Sequence, residues 1–343
     1  MATVFLNGRL LTDDDPQACV SLTDAGFMHA VGLFETMTAR RIGLGAGNGS
    51  VQPSQGSSRA HVARVDEHVG RLVASAKALG LAGALRAGPL AEAVEHTVAA
   101  HFERTDDAVA RVRLTVTGGD LNLVRRHAER LGAGVHTPTV AIVVQRATAY
   151  PAALYEQGGV LTIADAKANP FDPLAGHKTL NYWWRLRELQ ACLAKGGTEA
   201  LIFTVTNHVA GGSVSNVFAV RDGTLLTPVA RGEESAVAGS SAAMPSCVLP
   251  GVTRSAVLDL ADREGLTVGR RWMTIDDLLD AQEVFCTNAS FGVLPMTRIE
   301  GKPIGTGRVG PVTRRLADRL AELDGGGPVL SDRSPADQPG DGG

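Results

Sequence analysis

"NHVAGGSVSNVFAVRDGTLLTP", residues 207–228, carries the densest fold signal in the chain. Apolar residues alternate on either side of Asp222-Gly223, a dipeptide suited to a two-residue hairpin turn, so the segment reads as two antiparallel strands. The pair Gly211-Gly212 interrupts the pattern just before Ser213, Ser215 and Asn216. Bare backbone inside a strand marks either a tight local turn or a close approach to the main chain.

Outward from this hairpin, strand-like runs alternate with helical ones. "TVFLNGRLL" and "GLFETMTARRIG" precede a helix over about Val65 to Gly80, in which Val69, Leu72, Val73, Ala76 and Leu79 form one stripe. Strands follow at about Ala110–Thr117, Thr139–Val144 and Val160–Ala164. Further helices fall at about Leu180–Lys195, Arg254–Glu264 and Val312–Leu323, the last after Gly310-Pro311. The alternation predicts α/β, or α+β, layering in two domains. The weakly periodic "RATAYPAALYEQG" separates a small N-terminal α/β domain, 1–150, from a larger C-terminal α/β domain, 151–323. Within the first, 43–60 reads as a flexible insertion, and the Gly/Pro/Asp-rich stretch 324–343 reads as a disordered tail.

Composition narrows the function. The chain has 343 residues, 44% hydrophobic, and a net charge of -3, which argues against nucleic-acid or anionic-membrane partners. Cys19, Cys192, Cys247 and Cys286 are too scattered for a disulfide framework or a zinc site. No signal-peptide layout and no apolar run of roughly 18 residues is present, so a cytoplasmic protein is expected. No Walker loop, HExxH, GxSxG or GxGxxG motif occurs in a suitable context, and the nine histidines form no ligand cluster, so no metal is expected. Lys178 stands out in "AGHKTLNYWW", although by composition a lone lysine is most often solvated.

The order of motifs adds what single residues do not. "GFMHAVGLFETM", "VDEHVGRLVASAKALGL", "RVRLTVTGG", "HKTLNYWW", "GSVSNVFAVRDGTLLTP", "LPGVTR", "EVFCTNASFGVLPMTRIEGKPIG" and "GPVTRRL" follow one another from about residue 3 to 322. This series resembles the class IV aminotransferases, the fold-type IV pyridoxal phosphate enzymes that include branched-chain and D-amino-acid aminotransferases and aminodeoxychorismate lyase. The resemblance implies pyridoxal 5'-phosphate as cofactor and a homodimer. It also implies an amino acid or amino-chorismate substrate, with Lys178 as the Schiff-base and proton-shuttle residue. Arg71 matches a phosphate-binding arginine, an alternative to an i, i+4 pair with Glu67. Val252 and Thr253 match backbone donors to the phosphate, where a simple helix cap is the other reading. Ser215, Asn216 and Ala289 fall at cofactor-holding positions, and His29 and Arg113 at substrate-facing ones, Arg113 being equally readable as a surface residue of its strand.

Three positions depart from the resembling family. Gly211 stands where a glutamate contacts the pyridine nitrogen, Ala30 where glycine is usual, and Ala289 where a threonine lies near the phosphate. The segment 229–247 is also longer than usual and carries Glu233 and Glu234, an alternative source of the missing acid. Three expectations stand together: an aminotransferase, an aminodeoxychorismate lyase-type enzyme yielding pyruvate, or a divergent homologue with altered or no cofactor chemistry.

Overall fold

The computed structural model describes residues 1–42, 60–120, 137–237 and 244–331. It divides into two units, Met1–Thr148 with Lys178–Asn181, and Ala149–His177 with Tyr182–Gly343. The predicted insertion lies almost entirely outside the described residues.

The N-terminal unit runs β1 (Thr3–Leu6), β2 (Arg9–Thr12), α1 (Ala25–His29), β3 (Gly32–Arg41), β4 (Ala60–Val62), α2 (Val65–Ala78), α3 (Ala87–Arg104), β5 (Val109–Thr117) and β6 (Val140–Arg146). Its strands form one six-stranded sheet, ordered β2-β1-β6-β5-β3-β4. Leu33, Met37, Val112 and Leu114 turn to one face, where Val69 and Leu72 of α2 and Val94, Val98 and Phe102 of α3 cover them. The period of two in a strand puts Phe34, Thr36, Arg111 and Arg113 on the opposite face. Helix α2 carries Asp66 and Glu67 in its first turn and Lys77 in its last, each the right sign for the helix dipole. Helix α3 goes unpredicted, although Leu90, Val94, Val98 and Phe102 recur at every fourth position.

The C-terminal unit runs β7 (Tyr150–Pro151), α4 (Ala152–Gln157), β8 (Gly159–Ala168), α5 (Trp183–Ala194), β9 (Glu199–Thr204), β10 (Val209–Gly212), β11 (Asn216–Arg221), β12 (Thr224–Pro228), α6 (Val252–Arg263), β13 (Thr267–Arg271), α7 (Ile275–Leu279), β14 (Glu283–Asn288), β15 (Gly292–Ile299), β16 (Lys302–Pro303), α8 (Pro311–Leu323) and β17 (Leu330–Ser331). The main sheet is ordered β10-β9-β8-β15-β14-β11-β12-β13, with β16 on β15. Both of its faces are buried. Phe218, Val220 and Phe285 point to α6 and α8, while Val217, Ala219 and Cys286 point to a second core with Met273 and Leu278. Asp222-Gly223 turns the β11–β12 hairpin with both residues at positive φ, 49° and 75°, as a tight hairpin turn requires. The strand before it, β10, pairs instead with β9.

Within the stretch read as a tail, Leu330–Ser331 pair in parallel with Tyr150–Pro151, and residues 332–343 lie outside the described residues. The departure at Ala30 also gains a physical meaning. Ala30 is the C-cap of α1 in the left-handed region, φ 54°, and its N–H donates to Gly26 O at 3.1 Å. A Cβ is disfavoured there, which is why glycine suits the position. Replacing it, Ala30→Gly, should stabilise the protein by about 1 kcal/mol in denaturant unfolding.

Candidate functional site

The candidate residues form two groups, one in each unit. In the N-terminal unit the backbone of Lys178 is tied to β3: Phe34 N donates to Lys178 O at 3.0 Å, and Leu180 N donates to Gly32 O at 2.9 Å. The Lys178 Nζ lies 4.5 Å from the Phe34 ring centroid, and the Arg113 guanidinium carbon lies 3.9 Å from the same ring. Arg113 therefore shares a sheet face and an aromatic partner with Lys178. His29 is exposed at the end of α1, and its side chain makes no hydrogen bond or ion pair among the described residues.

Arg71 projects from α2 to the buried Glu35 of β3. Its Nε and Nη2 donate to Glu35 Oε1 and Oε2 at 2.8 and 2.6 Å, so the guanidinium meets Glu35 as a fork. His68, one turn earlier, sits 2.8 Å from Glu35 Oε2 through Nδ1. Burial works against the Glu35 charge, but the Arg71 charge and the His68 and Arg71 hydrogen bonds outweigh it, moving the carboxyl from 4.5 to about 2. Burial, only partly opposed by Glu35, holds His68 below 6.5. Neither partner is evident from the sequence, because Glu35 sits 36 residues from Arg71.

In the C-terminal unit three turns converge. Asn216 Nδ2 donates to Leu249 O at 2.9 Å, fastening the turn before α6 to β11. Asn288 Nδ2 donates to Val214 O at 3.3 Å, joining the turn that bears Ala289 to the turn that bears Ser215. The structure thus brings Ser215, Asn216, Val252, Thr253 and Ala289 together. Helix α6 starts at Gly251 with no side-chain cap, leaving its first N–H groups to an outside acceptor. A Cβ at Gly251 would collide with Asn216 Oδ1, so the helix entrance is built close against β11.

Gly211 is glycine for a local reason. It lies at a register shift between β9 and β10 with φ +114°, and a Cβ there would stand 2.9 Å from Ser215 O. A glutamate at this position would have to overcome both. The turn it opens wraps a carboxylate that sequence reading misses. Glu199, fully buried, accepts from Ala200 N at 2.9 Å, Ser213 N at 3.0 Å, Val214 N at 3.4 Å and Ser215 Oγ at 2.8 Å, and from Ser213 Oγ. The Ser215 hydroxyl accordingly points inward. Burial raises the Glu199 pKa despite these donors. Tyr182 Oη closes the turn from above, donating to Ser213 O at 3.1 Å.

Glu233 and Glu234 have partners of their own. Glu233 pairs with Arg254 Nη1 and Nη2 at 2.9 and 2.7 Å, and Glu234 accepts from Gly232 N and Ser246 N at 2.7 and 2.9 Å. Among the described residues no group of three or more His, Cys, Asp or Glu is arranged to hold a metal ion.

The family described as Amino-transferase class IV matches residues 32–299. The chain belongs to this family and is an enzyme of it. A D-alanine aminotransferase of Bacillus licheniformis is 28% identical over 325 residues, 92% of this chain and 95% of that protein. A T.th. branched-chain amino acid aminotransferase with pyridoxamine 5'-phosphate aligns with a TM-score of 0.74 at 24% identity, covering 94% of each chain. The 4-amino-4-deoxychorismate lyase of Pseudomonas aeruginosa aligns at 0.69 and 25% identity, covering 93% of this chain and 98% of that one. The fold is that of the fold-type IV enzymes.

Two outcomes follow from the buried groups. The Glu35 carboxyl is depressed in the folded state, so its stabilising contribution is complete above about pH 5 and is lost as pH falls from 4.5 through about 2. Glu35→Gln should therefore flatten the pH dependence of unfolding in that window and lower stability at neutral pH by about 3 kcal/mol. Gly211→Ala should cost about 1–3 kcal/mol, measured by denaturant unfolding, because strain and the Ser215 carbonyl both oppose the methyl.

Proposed function

We propose that the protein is a pyridoxal phosphate-dependent aminotransferase acting on an amino acid, with Lys178 as the cofactor-bearing and proton-carrying residue. The observation that carries this reading is the placement of Lys178. It combines a backbone pinned to β3 with an amine held over Phe34 on the sheet face that also carries Arg113. Family membership supports pyridoxal phosphate, which when bound supplies an aldehyde that condenses with amines and a ring that accepts electron density from the substrate Cα.

Each unit, taken by itself, carries groups suited to part of it. The uncapped N–H groups of Val252 and Thr253, with the dipole of α6 behind them, suit a phosphate dianion. Arg71 adds a guanidinium whose orientation Glu35 fixes, and its phosphate role rests on the resemblance. Freed by an incoming amine, the Lys178 Nζ would be the base that accepts the proton from the substrate Cα and the acid that hands it back. Arg113 is the group on the same face suited to the substrate carboxylate. Gly211 offers the ring nitrogen no carboxylate, so the reading is of chemistry that runs without one at this position.

The reading includes a cytoplasmic homodimer. All four cysteines are free thiols, and Val20, Leu22, Phe27 and Met28 are exposed apolar residues of the N-terminal unit. A monomer mass by light scattering would count against the dimer.

The deciding experiment is addition of pyridoxal phosphate, reduction with borohydride and peptide mapping, together with amino-group transfer from a panel of L- and D-amino acids. Lys178 should carry the label. Lys178→Ala should lose both the label and the transfer activity, the latter by at least about a thousandfold. Label on other lysines only would sink the reading. Pyruvate released from aminodeoxychorismate without amino transfer would select the lyase instead.

A further inference from the structure

On the reading of Lys178 as the cofactor-bearing lysine, we infer that Arg231 is a positioning residue for it, holding the turn that delivers Lys178 to the sheet. On its far side Lys178 is fixed by backbone bonds to β3. On its near side the chain from Asn169 to His177 contains neither helix nor strand. Arg231 takes the place of a ladder there. Its Nη1 donates to the Ala175 carbonyl at 2.8 Å, three residues before Lys178. At Gly176, φ +75°, a Cβ would stand 2.8 Å from both Cβ and Cδ of Arg231, so the arginine stem lies flat against the turn. Burial and then the Arg231 charge keep His177 below its ordinary value, which places that charge within reach of the residue next to Lys178.

Arg231 is itself anchored. Its N–H donates to Val248 O at 2.9 Å, and the N–H of Ala230 donates to Glu233 Oε2 at 2.9 Å. Glu233 in turn pairs at 2.7 Å with Arg254, which is 2% exposed and stands in the first turn of α6. One carboxylate thus ties the helix entrance to the turn bearing Arg231, and Arg231 ties that turn to the approach to Lys178. All of these anchoring groups lie in the C-terminal unit.

Reductive labelling of the full-length protein with pyridoxal phosphate and borohydride, followed at Lys178 across pH, tests the role without relying on turnover. Arg231→Met keeps the apolar stem and removes donors and charge, whereas Arg231→Lys keeps one donor and the charge. The Met variant should label Lys178 about tenfold more slowly, with a displaced pH midpoint, and the Lys variant should stay within about threefold of wild type. The melting temperatures of cofactor-free wild type and both variants should agree. Equal rates and midpoints in all three proteins overturn the role of Arg231 while leaving Lys178 as the labelled residue. A wild type labelled only at other lysines overturns the reading of Lys178 itself, and the role of Arg231 with it. Should the Met variant not fold, Arg231→Gln is measured in its place and judged by the same two outcomes.

Discussion

The C-terminal unit is organised by the burial of one carboxylate. Glu199 opens β9 only 2% exposed, and a carboxylate so placed must find donors or be expelled. The chain supplies them from the turn that follows β10, where three backbone N–H groups and two serine hydroxyls surround it once Ala200 is included. The turn can close so tightly only because Gly211 and Gly212 carry no side chain. A Cβ at Gly212 would lie 2.7 Å from the Glu199 carboxyl carbon. Satisfying Glu199 therefore fixes where Ser215 and Asn216 lie, and Asn216 fixes the entrance to α6.

Glu35 in the N-terminal unit meets the same problem and reaches the opposite protonation balance. Both carboxylates are buried, but Glu35 faces a guanidinium, whereas Glu199 faces only neutral dipoles. A full positive charge outweighs desolvation and drives the Glu35 pKa down; the neutral donors offset it only in part, and the Glu199 pKa rises. The consequence differs too. Glu35 holds Arg71 in a set orientation as an ion pair, while Glu199 acts as a hub that shapes backbone.

Much of the architecture is legible because it rests on local patterns. Asp222-Gly223 between alternating apolar residues predicts a hairpin, and the Val69–Leu72–Val73–Ala76 stripe predicts α2; both elements form. The ordered motifs predict the family, which the match over residues 32–299 shows. What escapes reading depends on partners distant in sequence. Nothing near Glu199 announces that serines 14 and 16 residues away will bond it. Nothing near Glu233 announces Arg254, and in the sequence the glutamate looks available only because its partner lies 21 residues on. Helix α3 is a different case, since its fourfold apolar spacing is present but Arg86 supplies no capping side chain to mark its start.

The departures from the resembling family also sort by physical cause. Ala30 keeps the left-handed backbone that glycine would adopt more easily, so that change leaves the geometry and adds strain. Gly211 does the reverse: the backbone has taken a conformation closed to most side chains, so a glutamate there would require reshaping the turn around Glu199. Gly211 lies in the element whose shape the buried carboxylate dictates, so its bare backbone is a property of the whole turn rather than of one residue.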